Sequence, residues 1–251
     1  MTDPPAFADH FPARLPHYPP VPGVHPPLDS PGYRSTALRH PTRPLVPLPQ
    51  TLTEVTGPLF GHEPVGPGDA DLTKAFGGEA VGQRIVVHGR VLDGDSRPVP
   101  DTLLEVWQAN ASGRYRHPAD SFGGSLDPHF SGGGRTVTGA DGSYRFLTIR
   151  PGAYPWRNHR NAWRPAHIHF SVFGRAFTQR LVTQMYFPQD PLIPLDPILN
   201  SIPDEHARQR LVSRYDHDST VEAWALAFRF DLVLRGPGAT YFEAAGDDDD
   251  D

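Results

Sequence analysis

Fourteen of the first 50 residues are proline, and the full chain of 251 residues carries 30 prolines and 24 glycines. Each proline fixes φ and removes a backbone donor, so it interrupts helices and sheet interiors alike. The first 50 residues therefore cannot close a core of their own. Phe7, Phe11, Leu15, Tyr18, Tyr33 and Leu38 recur through them. That apolar content predicts an extended arm packed on another surface, whereas a flexible linker would be richer in Ser, Gly and charge. Beyond the arm the same density of turn residues excludes a helical bundle and predicts a β-rich fold.

Five consecutive aspartates, Asp247 to Asp251, supply most of the formal net charge of −6. Without them the chain has 24 acidic and 23 basic residues, close to neutral, and no basic stripe that would suit nucleic acid. The aspartate run predicts a solvated, disordered end. The absence of cysteine removes disulfides, thiolate-bound zinc, iron–sulfur clusters and a thiol nucleophile. No stretch approaches the roughly 18 apolar residues of a membrane span. The opening "MTDPPAFADHFPARLPHYPP" lacks the apolar segment of a signal peptide, so a cytoplasmic location is expected.

From residue 84 the pattern changes to short β-branched and aromatic runs: "RIVVHGRVL", "TLLEVWQA", "AHIHFSVFG", "AFTQRLVTQMYF" and "AWALAFRFDLVL". "RTVTGADGSYRFLTI" reads as strand, turn at Asp141-Gly142, strand, with Tyr144, Phe146 and Thr148 on one face. About seven antiparallel strands separated by Pro/Gly-rich turns predict a β-sandwich. "PDEHARQRLVSRYD" reads as the one clear helix, with Pro203 near its start and acids in its first turn. Three segments follow: an arm and connecting segment over 1–80, a β-sandwich over 81–243 and an acidic tail over 244–251. The stretch from Asn110 to Gly134 is too long for a simple hairpin, and long loops in compact domains usually carry function.

His167 and His169 flank one isoleucine in "WRPAHIHFSVFG". On a strand both imidazoles leave the same face. Such a pair is either a polar face meeting water or two ligands of a metal. A cupin site would need a glutamate at position 173, which is Phe. A carboxylate triad with iron, or zinc with a third histidine drawn from His88, His117, His129 or His159, stays open. A further option uses tyrosine. Tyr115 in "SGRYRHPAD" and Tyr154 in "RPGAYPWRN" stand in loops, where a tyrosine is more often a rim residue. As a phenolate, however, each is a hard oxygen donor, and a bound cation lowers its pKa. Two tyrosinates and a hydroxide would balance iron(III), with two neutral imidazoles completing five-coordination.

Five segments together resemble the intradiol ring-cleaving dioxygenases, over roughly residues 30–243. They are "PLPQTLTEVTGPLF", "GRVLDGDSRPVPDTLLEVWQANASGRYRHPAD", "LDPHFSGGGRTVTGADGSYRF", "RPGAYPWRNHRNAWRPAHIHFSVFG" and "TQMYFPQDPLIPLDPIL". Within that family the chain is most similar to the iron-bearing β subunits of enzymes that act on protocatechuate. The resemblance implies a transthyretin-like sandwich with long loops and one or two short helices. It implies one iron(III), Fe(3+), per chain, held by Tyr115, Tyr154, His167 and His169. It also implies O2-dependent cleavage of a catecholic ring, from protocatechuate to 3-carboxy-cis,cis-muconate in the β-ketoadipate route of aromatic degradation. Tyr154 takes the place of the ligand that leaves and acts as a base, and Arg164 that of a fixed positive charge beside the ring. Tyr33, Trp156, Gln184 and Ile198 take substrate-pocket positions, and Trp107 is a weaker candidate of the same kind. A related α subunit is implied as partner, forming an αβ protomer in a larger oligomer.

Two other readings fit part of the sequence. Catechol and hydroxyquinol 1,2-dioxygenases share the four ligands but carry a helical N-terminal region in place of a Pro-rich arm. The "GRVLDGDSRPVPDTLLEVWQA…DGSYRF" pattern also resembles transthyretin-like binding modules, which need no such ligand set.

Overall fold

The computed structural model describes residues 24, 26–43, 64–160, 162–173, 180–234 and 238–240. The arm residues Phe7, Phe11, Leu15 and Tyr18, the motif "PLPQTLTEVTGPLF" and the acidic tail lie outside the described residues, as does the start of "AFTQRLVTQMYF".

Among the described residues eleven short strands carry the fold: β1 (Arg84–Leu92), β2 (Leu103–Trp107), β3 (Gly133–Val137), β4 (Ser143–Ile149), β5 (Tyr154–Trp156), β6 (Ala162–Arg164), β7 (His167–Phe173), β8 (Arg180–Tyr186), β9 (Arg214–Val221), β10 (Ala225–Arg229) and β11 (Leu232–Val233). One sheet is built around β1, which pairs with β4, β10 and β11, with β9 beyond β10. The second runs β3-β2-β7-β8, and β5 and β6 form a small hairpin of their own. Alternation decides which side of each sheet faces inward. Ile85, Val87 and Val91 of β1, with Tyr144 and Phe146 of β4, meet Leu104 and Val106 of β2 and Ile168, Phe170 and Val172 of β7 in one buried cluster. The two sheets are thus the layers of an all-β sandwich, as the sequence predicts.

Three details differ from the sequence expectation. The strands either side of Asp141-Gly142 do not form a hairpin: β3 pairs with β2 and β4 with β1, in opposite sheets. The turn is real, with Gly142 at φ 72°. Buried Thr138 redirects the chain just before it, bonding the backbone of Thr102 and Val99. The pairing is not uniformly antiparallel, because β10 and β11 run parallel to β1. The expected helix over 203–216 shrinks to Glu205–Gln209, capped by Asp204 accepting from the His206 backbone N–H. Ser213 then bonds the backbone of Tyr186, and residues from Arg214 onward enter β9. Sheet pairing there outweighs helix propensity.

A second helix, α1, covers Thr36–Arg39 in the arm, and Glu205–Gln209 is α2. No helix among the described residues is long and apolar enough to cross a membrane. The described part of the arm lies on the sandwich. The Arg34 N–H donates to the Asn158 carbonyl, Asn158 and Ser35 exchange side-chain bonds, and buried Val24 packs with Tyr186, Leu199 and Ile202.

Candidate metal and substrate site

Because Ile168, Phe170 and Val172 face the core, His167 and His169 necessarily face out from the other side of β7. Trp107 of β2 and Gln184 of β8 sit opposite His169 in the sheet register. The Trp107 indole stacks on the His169 ring at 4.8 Å with the planes 5° apart, fixing that imidazole's orientation. His167 is fixed differently. Its Nδ1 lies 2.7 Å from the Pro165 carbonyl, which can only accept, so Nδ1 carries the proton and Nε2 is left with a bare lone pair.

The loop that carries Tyr115 and the first residue of β5, Tyr154, bring phenol oxygens to the Nε2 atoms of the two rings. The Tyr115 hydroxyl is 3.1 Å from His169 Nε2 and 3.4 Å from His167 Nε2, and the Tyr154 hydroxyl is 3.3 Å from His167 Nε2. Glycine makes this approach possible. Gly113, at φ +79°, would drive a Cβ to 2.2 Å from the Ala153 carbonyl, and a Cβ on Gly152 would meet the Ala111 carbonyl at 2.4 Å. The loops of Tyr115 and Tyr154 therefore pack backbone against backbone, which no larger residue allows at those two points. Asn110 stiffens the first loop, its carboxamide oxygen accepting from Ser112 and Arg114 N–H groups while its amide donates to the Ser125 carbonyl. The Asp120 carboxylate accepts from the Tyr115 N–H.

Burial governs the charge state of the cluster. It lowers the His167 pKa well below the usual range and takes His169 down to about 3, with the nearby Arg164 charge pushing the same way. Burial also raises both tyrosines, Tyr115 further because Tyr154 lies beside it. Both imidazoles are therefore neutral at physiological pH, and both phenols stay protonated unless a cation beside them favours the phenolate. This donor set, two neutral nitrogens and two ionisable oxygens around one point, fits a hard trivalent ion. Three of the other candidate histidines have partners elsewhere: His88 pairs with Asp216 at 2.9 Å, His159 stacks on Trp156, and the His117 ring accepts from the Ala119 N–H. Among the described residues no group of three or more His, Asp or Glu is placed to hold a metal.

The comparisons with known proteins point the same way. Residues 55–236 match the dioxygenase family, and residues 18–51 match the protocatechuate 3,4-dioxygenase beta subunit N-terminal family. The chain is 57% identical over 221 residues to a protocatechuate 3,4-dioxygenase beta chain from Burkholderia cepacia, covering 87% of this chain and 94% of that one. The chain belongs to the intradiol dioxygenase family. It is also 34% identical over 167 residues to a protocatechuate 3,4-dioxygenase alpha chain from Pseudomonas putida, covering 65% and 77% of the two chains. A 3-chlorocatechol 1,2-dioxygenase from Rhodococcus opacus 1CP shares the fold, with 22% identity, a TM-score of 0.52 and coverage of 71% and 70%.

In this dioxygenase Arg164 lies across the β5–β6 hairpin from Tyr154. It is 2% exposed, so its charge needs partners. Gln184 and the Tyr186 hydroxyl bond one guanidinium nitrogen, and Nε sits 2.9 Å from a carboxylate oxygen of fully buried Asp196. Burial pulls the Arg164 pKa down, but Tyr186, Asp196 and Tyr154 outweigh it and hold the group above its ordinary value, so it is a permanent cation. Trp156 lies under the guanidinium at 6.0 Å and receives the edge of the Tyr33 ring at 4.8 Å. The Tyr33 hydroxyl donates to the Pro197 carbonyl at 2.8 Å, beside half-buried Ile198.

Tyr33, Trp107, Tyr115, Tyr154, Trp156, Arg164, His167, His169 and Gln184 lie in this one region, with Ile198 at its edge through Pro197. Sequence reasoning missed Tyr186 and Asp196. An aspartate between Leu195 and Pro197 carries no visible signal, since only the fold brings it to Arg164, 32 positions earlier.

Proposed function

We propose that this chain binds one iron(III) through Tyr115, Tyr154, His167 and His169 and cleaves protocatechuate with O2 between its two hydroxyl-bearing carbons. Both oxygen atoms enter the product, 3-carboxy-cis,cis-muconate, so atoms balance without a further reductant. The observation that carries this is the convergence of two phenol oxygens on two histidines whose buried rings are neutral. The named relatives support the substrate, and the separate alpha and beta chains among them support an αβ protomer in a larger assembly.

Bound iron would act as a Lewis acid that draws the catechol in as a dianion and activates its ring toward O2. The chain's own residues do the rest. Tyr154 would be the ligand that gives way to substrate, its oxygen taking one catechol proton, while a hydroxide completing the charge balance of the bound iron would take the other. Tyr115, His167 and His169 keep their places, the last clamped by Trp107. Arg164 stabilises the negative charge that develops on the ring as it ketonises, with little reorganisation because two hydrogen bonds and an ion pair already hold it. Tyr33, Trp156, Gln184 and Ile198 bound the ring.

The test is turnover of the complex with its α partner on protocatechuate and on catechol, followed by O2 uptake and product analysis. Equimolar O2 uptake and the tricarboxylic muconate from protocatechuate, with catechol at least tenfold poorer, is expected. Preference for catechol or hydroxyquinol would move the chain to the 1,2-dioxygenases, and substrate binding without O2 uptake would leave a binding module.

A further inference from the structure

We infer that Asp196 is a positioning residue that ties the Arg164 charge to the pocket wall, so that both are set by one carboxylate. The inference deepens the functional proposal and rests on the role given there to Arg164.

Three observations carry it. Asp196 has no solvent exposure and Arg164 only 2%, an arrangement that costs several kcal/mol unless the pair is well made. One Asp196 oxygen serves two clients: it lies 2.9 Å from Arg164 Nε and accepts from the Ile198 N–H at 3.0 Å. The Asp196 carbonyl accepts from the Asn200 N–H at 3.0 Å and from its side chain at 2.8 Å, closing the turn that carries Pro197 and Ile198. Tyr33 bonds that same turn at the Pro197 carbonyl.

The geometry explains why a carboxylate is needed. Gln184 and Tyr186 meet Arg164 at Nη2 alone, which leaves rotation about that nitrogen. The Asp196 oxygen 2.9 Å from Nε meets it as an ion pair and not as a directed hydrogen bond, and so sets the counter-charge at a second point of the planar fork. Because the oxygen holding Nε also holds Ile198, movement of the pocket wall and movement of the guanidinium are coupled. An asparagine would keep an acceptor for the Ile198 N–H but leave a buried guanidinium without its counter-charge.

The test uses the full chain with its α partner and three variants: Asp196→Asn, Arg164→Gln and the two combined. Turnover per bound iron, KM and the thermal midpoint of the metal-free complex are read for each. Asp196→Asn is expected to lower kcat/KM about 100-fold per iron while iron content stays near that of the unmodified complex. Added to Arg164→Gln it should change kcat/KM by less than about threefold, the mark of two residues acting as one unit. The metal-free midpoint should fall further for Asp196→Asn alone than for the double variant, which buries no unpaired charge. If Asp196→Asn does not fold, comparison of Arg164→Gln with the double variant decides, and a further tenfold loss in the double variant overturns the inference. So does unchanged kcat/KM per iron in Asp196→Asn. Unchanged turnover in Arg164→Gln would instead overturn the role of Arg164, a different failure.

Discussion

On strand β7, Ile168, Phe170 and Val172 disappear into the core between the sheets, while His167 and His169, one position out of phase, present bare nitrogens to two tyrosines on the other side. The inward face is apolar, interchangeable in kind and held by area. The outward histidines are held by single contacts, a hydrogen bond to the Pro165 carbonyl for His167 and the Trp107 stack for His169, as the Asp196 ion pair holds Arg164 on neighbouring β6. One strand therefore anchors the fold with its inward side chains and, on the proposed function, the metal with two of its outward ones. Disruption of the two faces should separate cleanly.

The largest separation is expected between two residues of β7 that face opposite ways. His167→Ala should reduce turnover per chain on the order of 1,000-fold or more by removing a ligand, with bound iron falling in parallel and little loss of stability. Phe170→Ala, three residues on, should cost about 3–5 kcal/mol of folding free energy while turnover per folded, iron-loaded chain stays near normal. Urea denaturation and an iron assay on both variants check this together. Loss of iron in Phe170→Ala at equal folded fraction would erase the distinction.

A smaller effect sharpens it. Tyr154→Phe should keep iron, because its hydroxyl reaches only one histidine and the Tyr115 oxygen still meets both, yet lose roughly 10–100-fold in kcat with the base gone. Tyr115→Phe should lose iron itself, since its hydroxyl reaches both histidines. Iron content measured beside kcat tells the two tyrosines apart.

The smallest effect is in acid. In the metal-free chain His169 titrates at about 3 when folded and near 6.5 when unfolded, so between those values the unfolded chain takes up a proton that the folded chain refuses. Stability is therefore present above pH 6.5 and lost as pH falls toward 3, at about 1 kcal/mol per pH unit for this group. His169→Gln should flatten that slope, and Val172→Ala, inward on the same strand, should lower stability equally at every pH. Urea midpoints from pH 7 to 4 measure both.

The sandwich and the histidine pair were legible because both rest on a period of two, which survives without tertiary context. The tyrosines were legible only as unusual loop residues until matched to a family. Their approach depends on Gly113 and Gly152, which in the sequence look like ordinary turn glycines. Tyr186 was hidden because it reads as strand filler until Arg164, 22 residues away, is placed against it. The turn at Asp141-Gly142 was correctly located and wrongly closed. A turn fixes the direction of the chain, but whether its flanks pair is decided by which sheet offers each an open edge.

The most direct test of the outward face of β7 as an iron site is the visible spectrum of the purified complex beside its iron content. Tyrosinate bound to iron(III) predicts a wine-red protein with about one iron per β chain, a spectrum that shifts on anaerobic addition of protocatechuate, and loss of colour in His167→Ala but not in Ile168→Val. A colourless, folded complex that takes up no iron on reconstitution would contradict the account.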